Sequence, residues 1–360
     1  MVTHSIFYFY YLIYSSMSIT KNAPPVDINK RRAINGADAD VIQLYPMKHK
    51  WAWEYYNAAN ANHWLPTEIS MQLDIEQWKS KTALTEDERH AFETVLGFFT
   101  TADSIAANNI VIANYRHITS PEIRMYLLRQ GYEEAIHTHA YQYIVESLAM
   151  DEAKIFNMYR EREAIFNKAS FILTFNEGIF DPTFKTGTFA NDQKYLENLC
   201  VFALILEGIF FYSSFAVMFG FQRQHKLTGS AEQIQYIMRD ESMHLNFGCQ
   251  LIHTIREEQP ELWTQEFQDK IVGYVREAAR LEYTYAKEVF PAGIFGMNAA
   301  GFKQYIEHIA DRRLERVGLP VQFGVENPFP WMSEAIDLPK EKNFFETRVT
   351  EYKTGGALNW

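Results

Sequence analysis

Apolar residues return every three or four positions along most of the chain between Thr85 and Gly318, and no stretch shows the apolar/polar alternation of a half-buried strand. The pattern predicts an all-α protein. Thr85-Glu86-Asp87-Glu88 has the Thr-x-x-Glu form of a capping box, and Phe92, Val95, Leu96 and Phe99 follow at helical spacing, so a helix is expected from there to about Tyr115. Ser120-Pro121 sets an N-cap with proline at the first helical position and opens the next helix. Residues 151–195 predict a further helix and a turn at Phe180-Asp181-Pro182-Thr183, read as a connector without chemistry. The apolar run from Leu199 to Phe221 predicts a buried helix, and Ser230-Ala231-Glu232-Gln233 a second capping box. Pro260 interrupts the chain before a helix of about 25 residues, and Asn298 starts one that stops near Gly318 and Pro320.

Polar residues interrupt these apolar stripes at only a few places. Asp103 falls on the stripe of Phe92, Phe99 and Ala106. In Tyr132-Glu133-Glu134-Ala135-Ile136-His137-Thr138-His139-Ala140-Tyr141, the residues Glu134, His137 and Tyr141 share one helical face. Glu207 stands alone in the Leu199–Phe221 run, as a ligand or as a member of a buried ion pair. Glu241-Ser242-Met243-His244 repeats the Glu-x-x-His spacing. Buried polar groups are costly unless they bind something. A Glu-x-x-His pair on each of two helices, plus one acid from each of two others, is how a helix bundle holds two metal ions. Either pair alone recurs by chance; the six positions on four helices together are a strong signal. The expected grouping is Asp103, Glu134 and His137 for one ion and Glu207, Glu241 and His244 for the other, with carboxylates bridging. Glu133 and His139 belong to no such pair and are set aside. Acids mixed with imidazoles suit Fe(II) or Mn(II) better than magnesium or structural zinc.

Two redox metals side by side can reduce dioxygen. Tyr141 lies one turn beyond His137, about 6 Å along the axis, where a phenol can lose an electron and a proton. Phe211, Phe215 and Ile237, on the neighbouring ligand helices, would shield it with an apolar wall. An ordinary core tyrosine is the plainer alternative. Two other activities remain open on these residues: a di-metal oxygenase, which would want an open substrate pocket in place of Tyr141, and ferritin-like iron storage, whose chains are usually little more than one bundle.

Composition narrows the setting. With 360 residues and 47% hydrophobic content the chain can bury a large core, and a formal charge of −11 argues against a nucleic-acid surface. Cys200 and Cys249 lack CxxC spacing and read as reduced core residues of a cytoplasmic protein. The apolar run Ile6 to Tyr14 falls short of the ~18 residues of a membrane helix and has no basic residue before it, so neither a span nor a signal peptide is expected. Met17 is the expected functional start. The expected division is 1–45 as a poorly ordered N-terminal arm, 46–335 as the helical domain and 336–360 as a flexible tail.

The run EAIHTHAY, Asp103 upstream of it, Glu207, the segment Arg239-Asp240-Glu241-x-x-His244 and the stretch NPFPWM together resemble the small, radical-generating subunit of class I ribonucleotide reductase, over roughly residues 45–360. The resemblance implies a ferritin-like bundle, a non-haem centre of two iron ions per chain with manganese as the alternative, and a stable radical on Tyr141. It also implies a radical exit through His137, Asp240 and Trp64 and then Tyr352 in the tail. The partner implied is a large subunit that reduces ribonucleotides, reached through the C-terminal tail by a small subunit that is itself a homodimer. Asp103 together with Tyr141 matches tyrosyl-radical members, whereas relatives with a manganese/iron pair tend to have Glu and Phe there. His63 stands where the family usually has an aromatic residue.

Overall fold

A computed structural model of the chain describes residues 27–36 and 43–332. Among these residues there is no strand, only two isolated bridges, Ile34 with Ile118 and Ile294 with Met297. Nine longer helices carry the fold among the described residues: α1 (Lys50–Ala61), α2 (Gln72–Lys79), α3 (Glu86–Tyr115), α4 (Pro121–Ser147), α5 (Glu163–Asn176), α6 (Phe189–Arg223), α7 (Thr228–Glu258), α8 (Gln265–Val289) and α9 (Ala299–Arg316).

Several starts follow directly from local sequence. Thr85 accepts a hydrogen bond from Glu88 N at 3.2 Å while its own N–H donates to Glu88 Oε2 at 2.9 Å, the reciprocal pair of a capping box. Asn298 caps α9 by accepting from the N–H groups of Ala300 and Gly301. At the other end of α9, Gly318 takes φ +76°, which suits glycine, and Leu319 N bonds back to Leu314 O at 2.9 Å. Ser120 does precede Pro121 at the head of α4, but its hydroxyl donates to Glu122 Oε2 rather than capping the backbone.

The second capping box is a correction. α7 starts earlier than Ser230, at Thr228, and its orphan donors are satisfied from another helix. Asp74 of α2 accepts from Gly229 N at 2.9 Å and from both Ser230 N and Ser230 Oγ at 2.7 Å. A buried aspartate at a helix N-terminus compensates the unpaired N–H groups and the positive end of the dipole together. Gly229 permits that close approach, because a Cβ there would meet the Ser70 carbonyl at 2.5 Å.

Residues 151–195 also hold more helix than expected. Two short helices, Glu152–Phe156 and Met158–Glu161, precede α5, and α6 already begins at Phe189. The Leu199–Phe221 run is thus the second part of a longer helix, buried throughout. In the N-terminal arm, residues 27–36 are tied down: Ala33 N donates to Glu258 Oε2 at 2.7 Å, Thr119 N to Ala33 O at 2.8 Å, and Ala33 and Ile34 are buried.

Helices α3, α4, α6 and α7 enclose the site, with α8 and α9 packed outside α6. By length and composition α3 and α6 could each cross a membrane. Their most apolar windows are 61% and 100% buried inside the protein, so here they serve as core helices. Phe92, Phe99, Phe211 and Phe215 are fully buried at this centre. Each contributes about 1.5–3 kcal/mol by leaving water, which helps offset the cost of bringing carboxylates inside.

Candidate metal centre

Each of the four central helices brings its polar residues to one point. Asp103 comes from α3, Glu134 and His137 from α4, Glu207 from α6, and Glu241 and His244 from α7; all six are fully buried. Their ligand atoms form two groups, each within 4.8 Å: Asp103, Glu134, His137 and Glu241, and Glu134, Glu207, Glu241 and His244. Glu134 and Glu241 belong to both groups, which is the geometry of bridging carboxylates. The local helix is unusual at one ligand. Glu207 lies in a π-helical segment, Val201–Phe210, the wider winding that often marks functional sites.

The donor set fits two cations. Nine buried atoms of these residues lack a hydrogen-bond partner: both oxygens of Asp103, Glu134 and Glu241, Oε2 of Glu207, and Nδ1 of His137 and His244. So many orphaned acceptors around one point would be strongly destabilising without a positive charge. Four carboxylates carry up to four negative charges, which two divalent ions neutralise. Both imidazoles present Nδ1 inward, with His137 Nδ1 at 3.1 Å from Glu241 Oε1 and His244 Nδ1 at 3.3 Å from Glu134 Oε1.

The protein's own charges respond accordingly. Burial and then the neighbouring Glu134 push Asp103 well above the usual carboxylate range; burial and Glu241 do the same to Glu207, against the pull of His244. Burial alone would lower His137 and His244. The facing acids outweigh it, Asp240, Glu134 and Glu241 for His137 and Glu241 foremost for His244, and hold both well above the ordinary imidazole value. Metal uptake at these groups therefore releases protons.

Behind the cluster sits Tyr141, fully buried, its ring stacked on Phe99 at 5.5 Å and 3°. Its hydroxyl has no hydrogen-bond partner of ordinary geometry. Burial first, then the charge of Asp103, pushes the phenol well above its ordinary pKa. Phe99 in turn packs on Phe211 at 6.0 Å and Phe215 at 5.4 Å, so the expected wall reaches Tyr141 through a residue not foreseen in it. The signal was available, since Phe99 stands one turn before Asp103. Ile237 is buried on α7 one turn before Glu241.

On the far side of His137, Asp240 Oδ2 accepts from His137 Nε2 at 3.4 Å and from Trp64 Nε1 at 2.8 Å. Trp64 is 4% exposed and stacks on Tyr236 at 5.1 Å. The structure thus joins His137, Asp240 and Trp64 in one hydrogen-bonded chain. Tyr352 and the tail lie outside the described residues. Three contacts of the centre escaped sequence reasoning. Gln130 Nε2 donates to Glu207 Oε1 at 2.9 Å from one turn before Glu134. Glu133, set aside as a bystander, is buried and accepts from His244 Nε2 at 3.0 Å, and Arg129 Nη2 stands 3.3 Å from its other oxygen. His139 is exposed, as a residue outside the site should be.

Comparison with known proteins agrees with this geometry. A family model described as the small chain of ribonucleotide reductase matches residues 41–328. The chain is 52% identical over 335 residues to the ribonucleoside-diphosphate reductase subunit beta of Chlamydia pneumoniae, covering 93% of this chain and 96% of that protein. It is 32% identical over 339 residues to a ribonucleoside-diphosphate reductase small chain of Plasmodium falciparum, covering 92% of this chain and 90% of that one. Among solved structures, the ribonucleotide reductase R2 subunit of Clostridium botulinum superposes with a TM-score of 0.79 at 27% identity, over 89% of this chain and 98% of that one. With that family match across a four-helix dinuclear donor set, the chain belongs to the ribonucleotide reductase small-chain family.

Proposed function

We propose that this small subunit forms and stores a tyrosyl radical at Tyr141 and passes it to a large subunit that reduces ribonucleoside diphosphates. The observation that carries the reading is the set of nine orphaned ligand atoms with a sealed phenol directly behind it. Asp103, Glu134, His137, Glu207, Glu241 and His244 would hold two metal ions, iron in the first place with manganese as the alternative, Glu134 and Glu241 being the two residues common to both groups of donors. Bound there, two such ions would supply the oxidising equivalents by reducing dioxygen. Tyr141 gives up one electron and its phenolic proton together, because burial and the neighbouring Asp103 carboxylate hold that proton on the phenol for as long as the electron stays. Phe99, Phe211, Phe215 and Ile237 keep water and reductants from the ring. When the radical leaves, His137, Asp240 and Trp64 carry the hole outward, and Tyr352 relays it across the subunit boundary. Residues 336–360 dock on the large subunit, while the small subunits pair as a homodimer in the cytoplasm.

Tyr141→Phe tests the reading. The variant keeps two metal ions per chain, because no ligand is touched, and after iron loading in air it lacks the tyrosyl signal in low-temperature EPR and has no reductase activity. An unaltered tyrosyl signal would assign the radical elsewhere.

A further inference from the structure

The two Glu-x-x-His helices carry one arrangement twice, crossed between them. On α7, Asp240 directly precedes Glu241 and accepts from Nε2 of His137 on α4. On α4, Glu133 directly precedes Glu134 and accepts from Nε2 of His244 on α7. The second oxygen of each acid faces an arginine: Asp240 Oδ1 accepts from Arg239 Nε at 3.2 Å and Nη2 at 3.0 Å, and Glu133 Oε1 lies 3.3 Å from Arg129 Nη2. Both arginines then end on one place. Arg129 Nη2 donates to Ala59 O at 3.0 Å and Arg239 Nη2 to Asn62 O, carbonyls at the C-terminal end of α1 where helical partners run out.

An imidazole that offers Nδ1 to a cation must keep its proton on Nε2. An anion accepting from Nε2 fixes that tautomer and the ring orientation, and makes Nδ1 a stronger donor. Asp240 has a second task in holding the Trp64 indole, whereas Glu133, 2% exposed, holds only His244 and Arg129. We propose that Glu133, held by Arg129, is the positioning residue of the His244 half of the centre, fixing the tautomer and ring orientation that turn Nδ1 of His244 inward. The inference rests on the reading that the six groups bind two ions.

Metal-free full-length protein titrated with Mn(II) tests it. The unaltered chain takes up two equivalents. Glu133→Ala weakens one of them by about 10–100-fold, the usual loss when an imidazole loses its outer partner, and leaves the other unchanged. Glu133→Gln keeps an oxygen to accept from Nε2 and recovers most of that affinity, yet the iron-loaded variant has a higher midpoint potential because an anion has gone. A merely structural glutamate would not move the potential. Two unchanged equivalents in Glu133→Ala would overturn the proposal, and so would equal weakening of both without rescue by glutamine. If the unaltered chain takes up no pair of ions, the reading of the centre fails instead.

Discussion

Among single residues, Asp240 shows how one carboxylate can join two side chains from different parts of the chain. It adjoins Glu241 but points about 100° away round the helix, and its Oδ2 joins the Trp64 indole to the His137 imidazole. Burial alone would raise its pKa, but the hydrogen bond from His137 and the charge of Arg239 hold it below the ordinary carboxylate value, so it stays an anion and an acceptor. Asp240→Asn removes that charge while leaving all six ligand side chains in place. It should still form the Tyr141 radical by EPR but lose about 10–100-fold in turnover with the large subunit, the scale expected for an outer partner of a metal imidazole. Turnover equal to the unaltered protein would reject Trp64 and Asp240 as the exit.

At the level of helices, the site depends on how closely α6 and α7 approach. Glu207 is delivered by a π-helical segment, and α7 can lie against that segment because Gly248, one turn beyond His244, has no side chain: a Cβ there would stand 2.5 Å from Ala203 Cβ. Arg313 of α9 supports the same segment from outside by donating from Nε to Gly208 O at 2.7 Å. Gly248→Ala should therefore destabilise the fold by about 1–3 kcal/mol, the usual cost of overpacking. A lower denaturation midpoint with an unchanged denaturant slope would show this. An unchanged midpoint would mean that the α6–α7 contact yields without cost.

For the whole molecule, membership of the ribonucleotide reductase small-chain family makes this chain one subunit of a ribonucleoside-diphosphate reductase, an oxidoreductase completed by a large subunit. The tail sequence Glu351-Tyr352-Lys353-Thr354-Gly355-Gly356-Ala357-Leu358-Asn359-Trp360 places the Tyr352 phenol ahead of two glycines and the apolar residues Leu358 and Trp360. As the segment proposed to dock on the large subunit, it would meet its ordering cost on binding. Removing residues 353–360 should leave the metals and the Tyr141 radical intact and abolish turnover with the large subunit. Tyr352→Phe should separate the two roles, with binding kept and turnover lost. Normal binding and turnover by the truncated protein would show that docking lies elsewhere.

The sequence alone determined the helical class and the six polar residues that converge at the centre of the bundle, because helical period dictates which residues share a face and an acid on an apolar stripe stands out. Asp103 and Glu207 were legible for that reason, as was Tyr141 beyond His137. Tertiary structure decided what meets that face from across the bundle. Asp74 caps α7 from α2, Gln130 steadies Glu207, Phe99 lies against Tyr141, and Glu133 reaches His244 on the opposite helix. Periodicity describes one helix at a time. The pairing of α4 with α7, and hence the partner of each imidazole, follows from the rotation and spacing of helices packed around a shared core, which no local pattern encodes.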